Sequence, residues 1–533
     1  MNNILKYSKS CLVVILGLLF VTACTKNFEK INTPHKDATN ATTPELYNLV
    51  VSSLPLTGGE QSVFNSWIYP ITQQAIVTSG AYPYDNAKSA VWSNYYQTLA
   101  NYRLLEQRIA DSASDRFDNL YAMLKTIMAY KTYKTSNYYG DMPLEGAGYA
   151  PLKGASSYKV PYESQKDIYT SILTDLDWAI AHFTTSGNQY SVGAYETFLD
   201  GDIATWIKFA NSLRLEVAVT MYDKDATTAG PEIKAALDKP LLSDGEDIGL
   251  WPQKINGLKF DWRQWSFSAN CYLRMGSTMW NLMSDGNATD GSDIFDPRCK
   301  IFYEPNNAGK WAAYPQNPPT GTPAEGGAPY DTKRFTDWDN KGAGCIYSPV
   351  NLYFEQDIEN VPELMLTAAQ VHLLKAEVFN RGLGVTANQS TAKAEYEAGI
   401  KASVNMWTSI AYNSPIWEEG KPGAATVSGT VLSALLANAK VKYDPSDVSG
   451  SLKKIYAQLW IDQYRQPWDA WTLQRRTGNK TPMSSSNTNY YNTNFAGKVR
   501  FVYPDDEQSY NTQNWRAATN GSDLNTNKIW IMP

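Results

Sequence analysis

The apolar positions along this chain recur mostly three and four residues apart, the spacing of one helix face. In "QKDIYTSILTDLDWAIAHF" (165–183), Ile168, Ile172, Leu176 and Ile180 fall four apart, with Leu173 beside them. In "DIATWIKFANSLRLEVAVTMY" (202–222), Ile203, Trp206, Ile207, Leu213, Val217 and Met221 make a similar stripe, and Asp202 can cap its start. The stretch 118–138 has a helical pattern and ends before "YYGDMP". "ELMLTAAQVHLLKAEVFNRG" (363–382) closes on Gly382, the residue a helix C-cap favours. The next helix, 389–408, aligns Ala392, Tyr396, Ile400, Val404 and Trp407, and a final one spans 451–465. No extended set of alternating strands competes, so the pattern predicts a mostly α fold.

The segments 363–381 and 389–408 read as a helical hairpin, near the length of a tetratricopeptide-type pair. Small residues at Ala368, Ala369, Ala376 and Ala398 allow close packing there. A strict repeat period is missing, and long inserts separate the helical pairs. The expectation is tetratricopeptide-like helical pairs as a scaffold with long irregular ligand-binding loops. The inserts are rich in Gly, Pro, Asn and Trp over 243–350, and in Asn, Ser and Tyr over 477–500. Long loops inside a compact domain are usually functional or disordered, and the ring content favours function.

One apolar stretch does not belong to a folded core. Lys6 and Lys9 precede an uncharged run from Cys11 to Ala23. It is shorter than the about 20 residues a membrane span requires, and reads as a secretory signal. Val21-Thr22-Ala23-Cys24 looks like a bacterial lipobox, in which Cys24 is cut free and acylated. The chain then divides into a lipoprotein signal (1–23), a lipidated Cys24 with a polar tether to residue 44, and one helical domain (45–533). Stable membrane anchoring needs more than one acyl chain.

Composition narrows the chemistry. The formal net charge is −6 and no Lys/Arg cluster forms a basic stripe, which argues against nucleic acid as a partner. Aromatic residues make up 13 % of the chain and histidines number three, a balance suited to stacking recognition rather than to proton transfer or metal chemistry. His35, His182 and His372 are scattered and give no zinc constellation, and no HExxH, GxSxG or P-loop pattern appears. No metal and no cofactor is therefore expected. The acidic clusters Asp244/Glu246/Asp247 and Asp505/Asp506/Glu507 read as a solvated face and a turn, not as a glycosidase pair. "DGNATDGSD" (285–293) is oxygen-rich at Asp285, Asn287 and Asp293, but has Asp290 where a calcium loop requires glycine, and reads as a turn. Apart from the signal and Cys24, the cysteines are Cys271, Cys299 and Cys345, which leaves one bridge plus a free thiol or three buried thiols.

Sugars present apolar C–H faces and many hydroxyls, so a site for them combines flat rings with placed polar groups. Two regions offer that mixture. "SGAYPYDN" (79–86) carries Tyr82, Tyr84, Asp85 and Asn86, and the long insert carries Trp262, Trp265, Trp311, Tyr314, Tyr330 and Trp338. At least one of Trp265, Trp311 and Trp338 is expected to form a sugar platform, while the bland reading is that each ring pins its own loop.

Several blocks resemble the SusD/RagB family. They are "NYYGDMPL" (137–144), "IYTSILTDLDWAI" (168–180), "WIKFANSLRLEVA" (206–218), "PELMLTAAQVHLLKAEVFNRG" (362–382), "IYAQLWIDQYRQPWDAWTLQRRTG" (455–478) and "VRFVYPDDEQSYN" (499–511). They keep the family's order and look most like its starch-binding, outer-membrane-associated subgroup. Two positions depart from the pattern: Glu216 stands where the family often repeats Arg, and Gln370 where it often has an acid. The resemblance implies a mostly α-helical, lipid-anchored protein of the Bacteroidetes cell surface, capping a SusC-like TonB-dependent outer-membrane transporter. It implies a non-catalytic role in holding an oligosaccharide, or in some members a peptide, for import. A surface glycosidase is the reading from another class. Family likeness does not name the ligand.

Overall fold

Each of these stripes becomes a helix, except that Glu363–Leu366, expected to open the hairpin's first helix, is a strand paired with Ile248–Leu250, and the helix begins only at Ala368. The computed structural model describes residues 41–77, 88–255, 273–315, 322, 345–351, 353, 357–418, 420–482 and 495–533. The main helices are α1 (Thr43–Val51), α2 (Lys88–Ser112), α3 (Asp118–Tyr139), α4 (Gln165–His182), α5 (Ile203–Met221), α6 (Ala226–Leu237), α7 (Ala368–Arg381), α8 (Gln389–Asn413), α9 (Val448–Asp462) and α10 (Pro467–Arg476). Neighbours pair in sequence order: α3 on α4, α5 on α6 and, most extensively, α7 on α8. The fold is mostly helical, in line with the sequence pattern.

The helix ends follow their caps. Asp202 accepts the Ala204 N–H at 3.0 Å, and Thr367 accepts the Gln370 N–H at 2.9 Å. Gly382 ends α7 at φ 75°, a left-handed conformation that costs glycine little. Three departures from expectation stand out. The α8 helix continues past 408 to Asn413, and the amphipathic segments α2 and α10 are helices the spacing had not singled out. In the α7–α8 contact the closest small residue is Gly399, not Ala398: a Cβ at Gly399 would lie 2.7 Å from Leu373 Cγ and 3.1 Å from the Ala369 carbonyl.

Strand structure among the described residues is slight. β1 (Ile76–Val77) pairs antiparallel with β3 (Leu273–Arg274), and β2 (Ile248–Leu250) pairs antiparallel with β4 (Glu363–Leu366). Both ladders tie an insert to the helical body.

The core is aromatic, with Trp206, Trp407, Trp460 and Trp471 wholly buried. Phe501 stacks on Tyr138 at 4.7 Å, and the Tyr503 hydroxyl donates to the Asp141 carbonyl at 2.7 Å. The Arg475 guanidinium lies 3.9 Å over the Trp471 ring and donates to the carbonyls of Asn137 and Val499. Burial pushes its pKa down to about 9. Three blocks far apart in sequence, 137–144, 455–478 and 499–511, are thus clamped into one joint. Cys299 is a buried free thiol, and Cys345 is also buried. Cys271 lies outside the described residues.

Candidate functional site

Of the residues expected to touch ligand, Tyr82, Tyr84, Asp85, Trp265, Tyr330 and Trp338 lie outside the described residues, as does the anchor Cys24. Trp311 and Tyr314 are described, and both are buried. Trp311 stacks parallel to Trp280 at 6.3 Å, and its backbone N–H donates to the Thr289 carbonyl at 2.7 Å. A Cβ on Gly291 would lie 2.6 Å from its indole nitrogen. Tyr314 donates its N–H to the Met275 carbonyl, accepts from Ser277, and sets its ring edge-on to Tyr347. These two rings hold their loops in place, and little of either is open to a ligand. Burial also raises the Tyr314 pKa.

The described frame shows where the ring-bearing segments are rooted. Segment 78–87 leaves the body at β1, and segment 256–272 rejoins it at β3, the antiparallel partner of β1. Arg274 bridges to Pro349, the Met275 N–H donates to Ser348, and the Ser348 N–H donates to Ala312. The chain on both sides of residues 316–344 therefore joins the same small patch of backbone ladder. Sequence alone separates these segments by up to about 250 positions; the ladder brings their roots within hydrogen-bond distance.

The loop 285–293 is a turn, as its spacing indicated. Asp293 accepts from the N–H groups of Asn287 and Ala288, and Asp290 accepts from Ser292. Their carboxylates are thus engaged in closing the turn. Among the described residues no group of three or more acidic, histidine or cysteine side chains is arranged to hold a metal ion.

A second feature was not anticipated. A cleft of about 830 Å³ opens between the loop from Asp244 to Gln253, one face of α8, and the chain around Pro415 and Thr426. Ala402, Asn405, Met406, Ser409, Ile410 and Asn413 line it at the three- and four-residue spacing of one helix face. Trp251 forms part of the wall, and its indole N–H donates to the Asp247 carbonyl at 3.1 Å. The acidic cluster at 244–247 is not a simple solvated face. Glu246 pairs with Lys208, and Asp244 lies 3.5 Å from His372 and 3.3 Å from Lys401. Asp247 Oδ1 accepts the Ala368 N–H at 2.9 Å. Burial, and then the nearby Asp462, Asp244 and Glu246, push the Asp247 pKa up to about 7 against that hydrogen bond. The signal available in sequence was three acids followed at once by "GLWP", a ring beside a charge cluster.

Paired helices carrying long irregular inserts define the fold class. Residues 36–504 match the SusD-like family described as starch-binding and associating with the outer membrane. The match covers most of the chain, and the protein belongs to the SusD/RagB family. Solved structures agree on the fold. A chitin-binding protein is 22% identical over 92% of this chain and 100% of its own, with a TM-score of 0.69. A SusD-like protein of Bacteroidetes is 20% identical over 92% and 100%, with a TM-score of 0.68. A SusD homologue from Parabacteroides distasonis is 19% identical over 92% and 98%, with a TM-score of 0.69. A comparison with curated proteins returned no match.

Proposed function

We propose that this protein is a cell-surface glycan-binding lipoprotein that captures oligosaccharides and delivers them to a SusC-like TonB-dependent transporter. Membership of a starch-binding, outer-membrane-associated family supports glycan binding. The observation that carries the reading further is the shared root: the segments bearing Tyr82, Tyr84, Asp85, Trp265, Tyr330 and Trp338 all spring from the ladder around β1 and β3. In this reading the rings they carry share one surface, as a glycan platform requires. In this reading Cys24 carries the lipid, the polar segment after it gives slack, and the body holds ligand without transforming it.

The test is a binding screen of the protein from residue 25 onward against oligosaccharides and peptides, with reducing ends assayed in parallel. Binding of one oligosaccharide class without new reducing ends supports the proposal. Peptide binding alone, or turnover of the sugar, overturns it. Transport coupling is tested by co-purification with the transporter from membranes.

A further inference from the structure

The cleft beside Trp251 belongs to the helical scaffold and not to the ladder at the loop roots. We infer that it is a second ligand site, and that it takes a saccharide carrying a free amino group. The inference rests on the glycan-binding reading for its ligand class and on the cleft's own chemistry for its position and charge preference.

Size and lining come first. A volume of about 830 Å³ is within the range of small-ligand sites, about 300–1,000 Å³. Met406, Ile410 and Ala402 supply a buried carbon floor, and Trp251, its N–H already engaged by Asp247, offers carbon surface in the wall. Polar atoms stand free along the same walls. Asn405 uses Oδ1 on the Val427 N–H, Gln253 uses Nε2 on Asn360, and Asp247 uses Oδ1 on Ala368. Their other polar ends, Asn405 Nδ2, Gln253 Oε1 and Asp247 Oδ2, have no partner among the described residues. A donor and two acceptors beside carbon surface match the alternating faces of a sugar ring.

Charge selects among sugars. Among the described residues, Asp244, Asp247 and Glu359 line the cleft and no lysine, arginine or histidine does. Lys401 pairs with Asp244 from outside the wall, the His372 ring lies 3.5 Å from the same carboxylate, and Glu359 has no ion pair among the described residues. A like-charged wall repels carboxylated or sulfated sugars and attracts a cation. Burial first, and then the neighbouring acids Asp462, Asp244 and Glu246, raise the Asp247 pKa. An ammonium on the ligand would offset that negative charge.

The experiment is calorimetric titration of the protein from residue 25 onward, near pH 7, with triglucosamine, its N-acetylated counterpart and maltotriose. Triglucosamine is expected to bind about tenfold or more tighter than the N-acetylated form, since only it carries ammonium groups. Trp251→Ala should weaken it by about ten- to a hundredfold, by analogy with base stacking on rings. Glu359→Gln, at an exposed position that leaves the core untouched, should weaken it and flatten its salt dependence. The inference fails if the N-acetylated trimer binds equally well, if Trp251→Ala and Glu359→Gln both bind as the parent does, or if a lysine tripeptide binds as tightly as the sugar. Neutral sugar binding that responds to Trp265→Ala alone would keep the glycan-binding reading and remove this one. Loss of all saccharide binding would remove both.

Discussion

Glu216 and Gln370, the two departures from the family pattern, are on different helices and meet at one carboxylate. Gln370 Nε2 donates to Asp469 Oδ2 at 2.5 Å, and Gln463 donates to the same oxygen at 2.9 Å. Glu216 is buried beside them, and burial followed by the Asp469 charge raises its pKa well above the ordinary glutamate range. Burial also raises Asp469, to about 6. The two departures therefore share one buried environment, with Asp469 between them. The linkage has a definite sign. Raised carboxyl pKa values mean that the folded chain holds protons the unfolded chain releases, so stability is full below about pH 4 and falls as pH rises through about 6 and beyond. Glu216→Gln keeps a donor and removes a titrating group. Its unfolding free energy should fall less between pH 5 and pH 8 than the parent's, by on the order of 1 kcal/mol. Parallel pH profiles for the two proteins would refute the raised-pKa account. The neighbouring Glu377 behaves oppositely. Despite burial, Arg476 and Arg381 pull its pKa down to about 2. Removing it in Glu377→Ala strands the buried Arg476, and should cost about 3–5 kcal/mol in chemical denaturation.

At the scale of elements, the α7–α8 hairpin tests whether packing or propensity governs the scaffold. Alanine in place of a helical glycine gains about 1 kcal/mol from the backbone alone. At Gly399 the added Cβ meets Leu373 Cγ and the Ala369 carbonyl, and overpacking of that kind costs about 1–3 kcal/mol. Gly399→Ala should therefore destabilise the protein by about 1 kcal/mol in a urea melt. A gain in stability would mean that the helices stand further apart. The same helix presents its other buried face to Phe302, whose ring meets Trp407 edge-on at 5.2 Å, so one element serves both the hairpin and the insert. Its C-terminal half, from Ala402 on, makes the floor of the cleft, and only the turn after 408 lies beyond the length expected from spacing.

For the whole molecule, rings in the scaffold and rings in the loops should separate experimentally. Trp311→Ala removes a buried ring stacked on Trp280 and should lower stability by about 3–5 kcal/mol, as should Trp206→Ala. Trp265→Ala and Trp338→Ala should instead leave melting near the parent's and weaken oligosaccharide binding by about 1–3 kcal/mol. Measuring melting and affinity on each variant decides the matter: normal binding by both loop variants would move the platform to Tyr82 and Tyr84, and severe melting in both would make those rings structural. The anchor is independent of all this. Cys24→Ser should preserve the fold and release the protein from membranes, and detergent-phase partitioning with normal lipid labelling would refute the lipobox reading.

Helical content, the caps at Asp202 and Gly382, the buried face of α5 and the membership of the family were legible in the residues, because each depends on local spacing or on blocks contiguous in the chain. The burial of Trp311 was not, since composition places it in a Gly/Pro/Asn-rich segment like the other loop rings, and only Trp280 and Gly291 show it enclosed. The same holds for Gly399, whose role depends on Leu373 across the hairpin, and for Glu216 with Gln370, which read as separate anomalies until Asp469 joins them. The acidic cluster at 244–247 looked solvated because sequence counts charges without their surroundings; burial beside Asp462 and the wall of α8 make it part of a cleft. What the sequence by itself determined are the elements and their capped ends, through short-range periodicity and backbone chemistry. Tertiary structure alone decided which rings are enclosed, which carboxyls keep their protons and where a ligand can enter, because each depends on atoms brought together from distant parts of the chain.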